Sequence, residues 1–85
     1  MNYKKSVETT IYCAEQTKTL EGNEKYPPYT TMMKLQYQRY NFDKLKALFN
    51  EQGYEICDIK DAPETFPLLE AEKISSKSWF IYKKD

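Results

Sequence analysis

The chain has 85 residues, of which 40% are hydrophobic, 15% aromatic and 31% charged, and thirteen basic residues balance thirteen acidic ones. This length and composition predict one globular domain and argue against a disordered chain. No apolar run suits a membrane helix or a signal peptide, and Cys13 and Cys57 alone cannot form the disulfide framework of a small secreted protein. We therefore expect a cytoplasmic protein with two reduced thiols.

The first two predicted elements are strands joined by a loop. Residues 6–14 are rich in β-branched side chains and alternate with a period of two, which predicts a strand. Glycine and proline in 15–28 predict a loop, and residues 29–40 alternate again as a long second strand. Its expected apolar face consists of Thr31, Met33, Leu35 and Tyr37, and its expected polar face consists of Met32, Lys34, Gln36, Gln38 and Tyr40.

A helix over 42–52 follows. Asn41 is a suitable N-cap, Asp43 places a negative charge in the first turn, and Gly53 stands where a left-handed C-cap belongs. An apolar stripe of helical period is expected to pack on the sheet. This stripe consists of Phe42, Leu45, Leu48 and Phe49.

Two further strands are predicted in the second half of the chain. Residues 54–60 form the first, and residues 67–74 form either one or two helical turns or an extended segment. The near-continuous apolar run at 78–83 predicts a strand in the centre of the sheet. Its two faces carry Trp79 with Ile81 and Phe80 with Tyr82; one pair is expected in the core, and the other exposed or in a dimer interface along this strand.

The resulting order, β-β-α-β-(short α)-β, predicts an α+β fold. We expect a small, four-stranded, mostly antiparallel sheet with the main helix (42–52) packed on one face. The other face of such a sheet is left to solvent or to a partner.

The chain lacks the residue types of most catalytic sites. It has no histidine, and glycines only at 22 and 53, which excludes a glycine-rich phosphate loop. Both cysteines fall in predicted apolar strands, where a thiol is inert. Asp58, Asp61 and Glu64 recur at a spacing of three, but a solvated acidic rim explains them better than a metal site. We expect no enzymatic activity and no cofactor.

The polar face of the second predicted strand favours binding of RNA or single-stranded nucleic acid. Tyrosine rings stack on bases and lysines neutralise phosphates. The candidate contact residues are Tyr12, Lys34, Gln36, Gln38, Arg39, Tyr40, Lys44, Lys46, Tyr82, Lys83 and Lys84. An ordinary solvated sheet face is the alternative, and the zero net charge counts against tight binding.

The segment 51–72 carries seven acids against Lys60 alone. This excess indicates a docking surface for a basic partner, with a solvated loop as the plainer interpretation. The candidate partner-binding residues are Glu55, Asp58, Asp61 and Glu64. Because residues 1–47 carry eight basic groups against five acids, head-to-tail association of copies is a further hypothesis.

The leading hypothesis is a small non-enzymatic protein that binds RNA or single-stranded nucleic acid on an open sheet face. Its size and lysine-rich composition are typical of accessory proteins of phages, which suggests an inhibitor of a host factor such as a toxin ribonuclease. The alternative is a pure protein–protein inhibitor or adaptor that uses the acidic 51–72 region or a strand edge and binds no nucleic acid.

Overall fold

The computed structural model describes residues 2–21, 28–34, 38–64 and 77–84. These ranges contain two helices, three strands and a short 3₁₀ turn (Ile59–Asp61). In chain order the helices and strands are α1 (Tyr3–Glu21), β1 (Tyr29–Met33), α2 (Phe42–Glu51), β2 (Tyr54–Asp58) and β3 (Ser78–Lys83). The predicted α+β class is confirmed.

The sheet has the order β1-β3-β2, and β3 pairs antiparallel with both neighbours. The central position predicted for residues 78–83 is therefore confirmed. A central strand is hydrogen-bonded on both edges, so a second copy cannot add along it, and the dimer interface predicted there is not formed by strand pairing. The predicted four strands are not confirmed: the described residues form three, and the segment 67–74 lies outside them.

The strand predicted over 6–14 is wrong, because this segment lies within helix α1. Val7, Thr10 and Ala14 are buried at a spacing of three to four, which is the buried stripe of a helix. The hydroxyl of Thr10 donates to the carbonyl oxygen of Ser6 at 2.8 Å, so this polar side chain is buried with its hydrogen bond made. Packing of this stripe on the sheet overrides the β-propensity of the segment.

Strand β1 is shorter than the predicted strand 29–40, and its buried and exposed faces are the reverse of those predicted. It ends at Met33, and residues 38–40 lie in turns. Met32 is 3% exposed and Met33 is 44% exposed, so the predicted apolar and polar faces are exchanged. Met32 lies on the side of β1 that the helices cover. Lys34, two residues further on, continues the same side of the strand.

Helix α2 forms as predicted and ends one residue earlier. The side-chain oxygen of Asn41 accepts from the backbone N–H of Lys44 at 3.2 Å, and Gly53 adopts φ +81° after the helix. Both helices pack on one side of the sheet, where they bury a common core. Its buried members are Val7, Ala14, Met32, Leu45, Phe49, Tyr54, Ile56, Trp79 and Ile81.

The opposite side of the sheet, predicted to be open, is covered in part. Phe80 is fully buried there against Ile59 of the 3₁₀ turn and Ala62. Tyr29 and Tyr82 flank Phe80, each with its ring centroid 5.6 Å from that of Phe80. The predicted open face is therefore not available in full, because the chain folds back over it directly after β2.

Candidate binding cleft at the edge of strand β2

Strand β2 is an edge strand of the sheet that the structure describes. The backbone N–H of Lys84 donates to the carbonyl oxygen of Gly53 at 2.9 Å, which fixes the hydrogen-bonding phase between β2 and β3. Because inward and outward groups alternate along an antiparallel strand, every second residue of β2 directs its backbone groups away from β3. These residues are Tyr54, Ile56 and Asp58.

One end of this edge is capped by helix α2. The amide nitrogen of Asn50 donates to the carbonyl oxygen of Tyr54 at 3.1 Å and to the carboxylate of Glu55 at 2.9 Å. The ammonium group of Lys84 in turn donates to the side-chain oxygen of Asn50 at 2.9 Å. The cap leaves Ile56 and Asp58 as the part of the edge where backbone groups meet the surface.

A cleft of about 370 Å³ lies against this part of the edge. Phe42, Ile56 and Trp79 give it apolar walls, and the rings of Phe42 and Trp79 are tilted at 58° with centroids 5.7 Å apart. The remaining lining residues are Lys34, Lys46, Cys57, Asp58 and Asp61. The cleft thus combines apolar walls with charged groups of both signs.

Lys34 and Asp58 form an ion pair at the cleft, with Nζ and Oδ1 2.8 Å apart. Both side chains are partly exposed, so water screens the pair and its contribution to stability is small. The pair joins a residue predicted to bind nucleic acid to one predicted to bind a protein. One charge of each predicted surface is therefore neutralised at this position.

Carboxylates surround the thiol of Cys57 on the same strand. Burial, followed by the negative charges of Asp61, Asp58 and Glu55, raises the pKa of Cys57 to about 11. The thiol is therefore protonated at neutral pH and is a poor nucleophile. Among the described residues, no three histidine, cysteine or acidic side chains are arranged to hold a metal ion.

Four acids on β2 and the segment directly after it form what we term the acidic edge. It consists of Glu55, Asp58, Asp61 and Glu64, and the charges of the first three act on Cys57. Within the described ranges Asp58 alone of these is ion-paired, and Lys60 is the exposed cation beside Asp61. All four residues predicted to bind a protein partner thus follow one another along β2 and the segment after it.

The residues predicted to bind nucleic acid are dispersed. Tyr40 is half-buried, with its hydroxyl 2.8 Å from that of Ser6 and its ring centroid 4.6 Å from that of Tyr3. The ammonium group of Lys44 lies 5.4 Å from the centroid of the Tyr3 ring. Tyr40 and Lys44 therefore contribute to the junction between α1 and the start of α2.

The other members of that set lie on several surfaces. Tyr12 is on α1, and Tyr82 is on the side of the sheet away from the helices, where burial raises its pKa. Lys83 and Lys84 lie at the end of β3 that is opposite to the Trp79 end. The remaining positions are Gln38 and Arg39, which are exposed in a turn, Gln36, which lies outside the described residues, and Lys34 and Lys46, which share the cleft.

Two features of the site, contributed by three residues, were not predicted. Phe42 was assigned to the stripe that packs on the sheet, and Trp79 to one of two pairs of which one was expected in the core. Their role as cleft walls follows from the meeting of α2 with the sheet. Asn50 carries no distinguishing sequence signal, because its capping of β2 depends on the tight turn at Gly53. Both features arise from tertiary structure.

Comparison with family models, curated proteins and solved structures finds no match in any of the three. Within the described residues, neither helix combines the length and apolar character needed to cross a membrane.

Proposed function

We propose that this chain is a non-enzymatic binding protein that accepts an extended, basic segment of a partner protein along the β2 edge. The observation that carries the proposal is a single juxtaposition. Outward backbone groups of Ile56 and Asp58, a cleft with apolar walls and the acidic edge meet at one place.

The outward backbone groups supply the first element of recognition. A peptide that adds as a strand to a sheet edge gains main-chain hydrogen bonds without regard to its sequence. The cap on the Tyr54 carbonyl by Asn50 limits such an addition to the Ile56–Asp58 part of the edge. The partner segment is therefore short.

The cleft supplies the second element. Its volume of about 370 Å³ is at the lower end of the range of about 300–1,000 Å³ for ligand pockets. It suits a single large side chain from the added strand. Contact with the walls at Phe42 and Trp79 favours an apolar or aromatic anchor.

The charge pattern supplies the third element and selects a basic partner. Lys34 is already paired with Asp58, whereas Asp61 and Glu64 are exposed and not ion-paired within the described ranges. A lysine or arginine next to the anchor residue of the partner forms ion pairs with these carboxylates, whereas an acidic segment is repelled by them. Affinity for such a partner therefore falls as the salt concentration rises.

A displayed library of random peptides tests the proposal directly. We expect selection on the wild-type protein to enrich peptides that combine lysine or arginine with an apolar or aromatic residue. The double variant Asp61→Asn, Glu64→Gln should bind the enriched peptides about tenfold more weakly, which corresponds to about 1.4 kcal/mol. The matched control is Glu8→Gln, an exposed acid on α1, which should leave binding unchanged.

Binding of RNA remains a separate prediction, and the same material tests it. Gel shift of labelled single-stranded RNA at two salt concentrations, with Lys34→Glu and Arg39→Glu as variants, separates the two functions. A salt-sensitive shift that these variants abolish, together with a library that enriches no basic peptide, would favour nucleic acid and contradict the proposal. Enriched peptides that bind the double variant as tightly as the wild-type protein would contradict it as well.

A further inference from the structure

In the sheet that the described residues form, the outer edge of β1 lies at the opposite side from β2. The backbone N–H of Lys83 donates to Pro28 and that of Lys34 donates to Lys77, at 2.9 and 2.8 Å. These bonds fix the phase of the β1–β3 pair, so the intervening residues of β1 direct their backbone groups away from β3. The outward residues are Tyr29, Thr31 and Met33.

This strand carries an exposed apolar side chain. Met33 is 44% exposed. A groove of about 170 Å³ runs between α1 and β1, with Thr9, Cys13 and Met33 among its lining residues.

The two edges of the sheet differ in their protection against pairing. The β2 edge carries Glu55 and Asp58 and is capped by Asn50, which are devices that oppose pairing of two copies. The segment Tyr29–Met33 carries neither charge nor proline. An uncharged edge strand of this kind is a template for a further strand.

We infer that β1 pairs antiparallel with β1 of a second copy about a two-fold axis at Thr31, so that both copies share one continuous sheet. This register places Thr31 opposite Thr31 of the second copy. It also places Met33 opposite Tyr29, so that the exposed thioether contacts an aromatic ring. The groove residues of both copies flank the new pair.

The sequence of β1 favours its own copy as the occupant. A two-fold pairing requires that the strand be complementary to itself, since each residue meets its symmetry mate. The strand is neutral, its central residue is β-branched, and its ends carry a ring and a thioether that meet across the axis. The inference is independent of the proposed function, because the dimer leaves both β2 edges uncovered.

Measurement of the molecular mass by sedimentation equilibrium tests the pairing. We expect the wild-type chain to approach twice its mass of 10.2 kDa with rising concentration. Thr31→Lys places two ammonium groups opposite each other and should weaken the dimer about tenfold or more. Thr31→Val keeps a neutral β-branched side chain and should retain it. Circular dichroism confirms that each variant is folded.

Cross-linking gives a second measurement that does not depend on a loss of binding. In a Cys13→Ser, Cys57→Ser background, Thr31→Cys places two thiols across the axis. The Cα separation of about 5.5 Å in a hydrogen-bonded pair is compatible with a disulfide. Oxidised glutathione should therefore give a covalent dimer, whereas Lys60→Cys in the same background should not.

A wild-type chain that is monomeric at its highest soluble concentration overturns the inference. A dimer that Thr31→Lys leaves intact, and in which Thr31→Cys does not cross-link, also overturns it by placing the contact elsewhere. In either case peptide binding at β2 is unaffected, so the failure of this inference is distinguishable from a failure of the proposed function.

Discussion

Replacement of two adjacent methionines by alanine tests how β1 faces the core. Met32 is 3% exposed and packs in the core below the helices, opposite Trp79 in the sheet, whereas Met33 is 44% exposed on the other side. The two substitutions remove the same atoms at neighbouring positions of one strand. A difference between them therefore reports burial and not strand propensity.

The structure sets the size of the expected effect. Loss of a buried methionine side chain destabilises by roughly 2–5 kcal/mol, whereas a surface substitution stays within about 0.5 kcal/mol. A chain of 85 residues has a total stability of about 4–13 kcal/mol, so Met32→Ala removes a large share. At about 4–8 °C per kcal/mol for a domain of this size, we expect its Tm to fall by roughly 8–40 °C.

Urea denaturation provides the assay, because the single tryptophan, Trp79, is buried beside Met32 and reports unfolding by its fluorescence. Both substitutions are made in the Thr31→Lys background, which removes any contribution from pairing of β1. A larger loss for Met33→Ala than for Met32→Ala would refute the observed orientation of β1. It would instead support the face assignment that the alternation of 29–40 predicts.

Three further changes probe local features. Gly53→Ala should lower the free energy of unfolding by about 1–2 kcal/mol, because an L side chain is strained at φ +81° even though its Cβ would meet no atom within 4 Å. Gly53→Asn should lower it less, and thermal melts compare the two variants. Asn41→Ala removes the α2 cap and should cost about 1 kcal/mol in urea unfolding, with the exposed Gln38→Ala as its neutral control. The folded pKa of Cys57 is about 11 against an ordinary 9.0, so the folded chain retains a proton that the unfolded chain releases. Stability should fall from pH 9 to 11, and an equally steep fall of the urea midpoint in Cys57→Ala would contradict this cause.

The sequence predicts the parts of the fold whose local and tertiary signals agree. Helix α2 has a cap at Asn41, a stop at Gly53 and an apolar stripe between them, and each signal is satisfied in the structure. The run at 78–83 predicts a central strand because a strand with both faces buried has no polar positions. In both elements, propensity and burial favour the same structure.

The first element is mispredicted because two periodicities overlap in one segment. Val7, Thr9, Ile11 and Cys13 alternate as in a strand, but Val7, Ile11 and Ala14 also repeat as in a helix. Whether the segment forms a helix or a strand depends on the surface against which it packs. That surface is the sheet, whose residues are distant in sequence from α1. Hydrogen bonding of the Thr10 hydroxyl within the helix then permits its burial.

The candidate site is predicted in part for a similar reason. The acidic residues Glu55, Asp58, Asp61 and Glu64 recur at every third position of one short segment, so their proximity follows from sequence alone. The basic and aromatic set depended on a long strand, and that strand ends at Met33. The cleft requires α2, β1 and β2 to meet, which spacing along the chain does not predict.

Hydrogen exchange of the β2 amides, measured by NMR with and without a selected basic peptide, tests the central proposal most directly. In the free protein the amide of Ile56, which points away from β3, should exchange faster than those of Glu55 and Cys57, which face it. Addition of the peptide as a strand should slow exchange at Ile56 specifically. Unchanged exchange at Ile56, with protection confined to α1 or to the end of β3, would contradict binding at this edge.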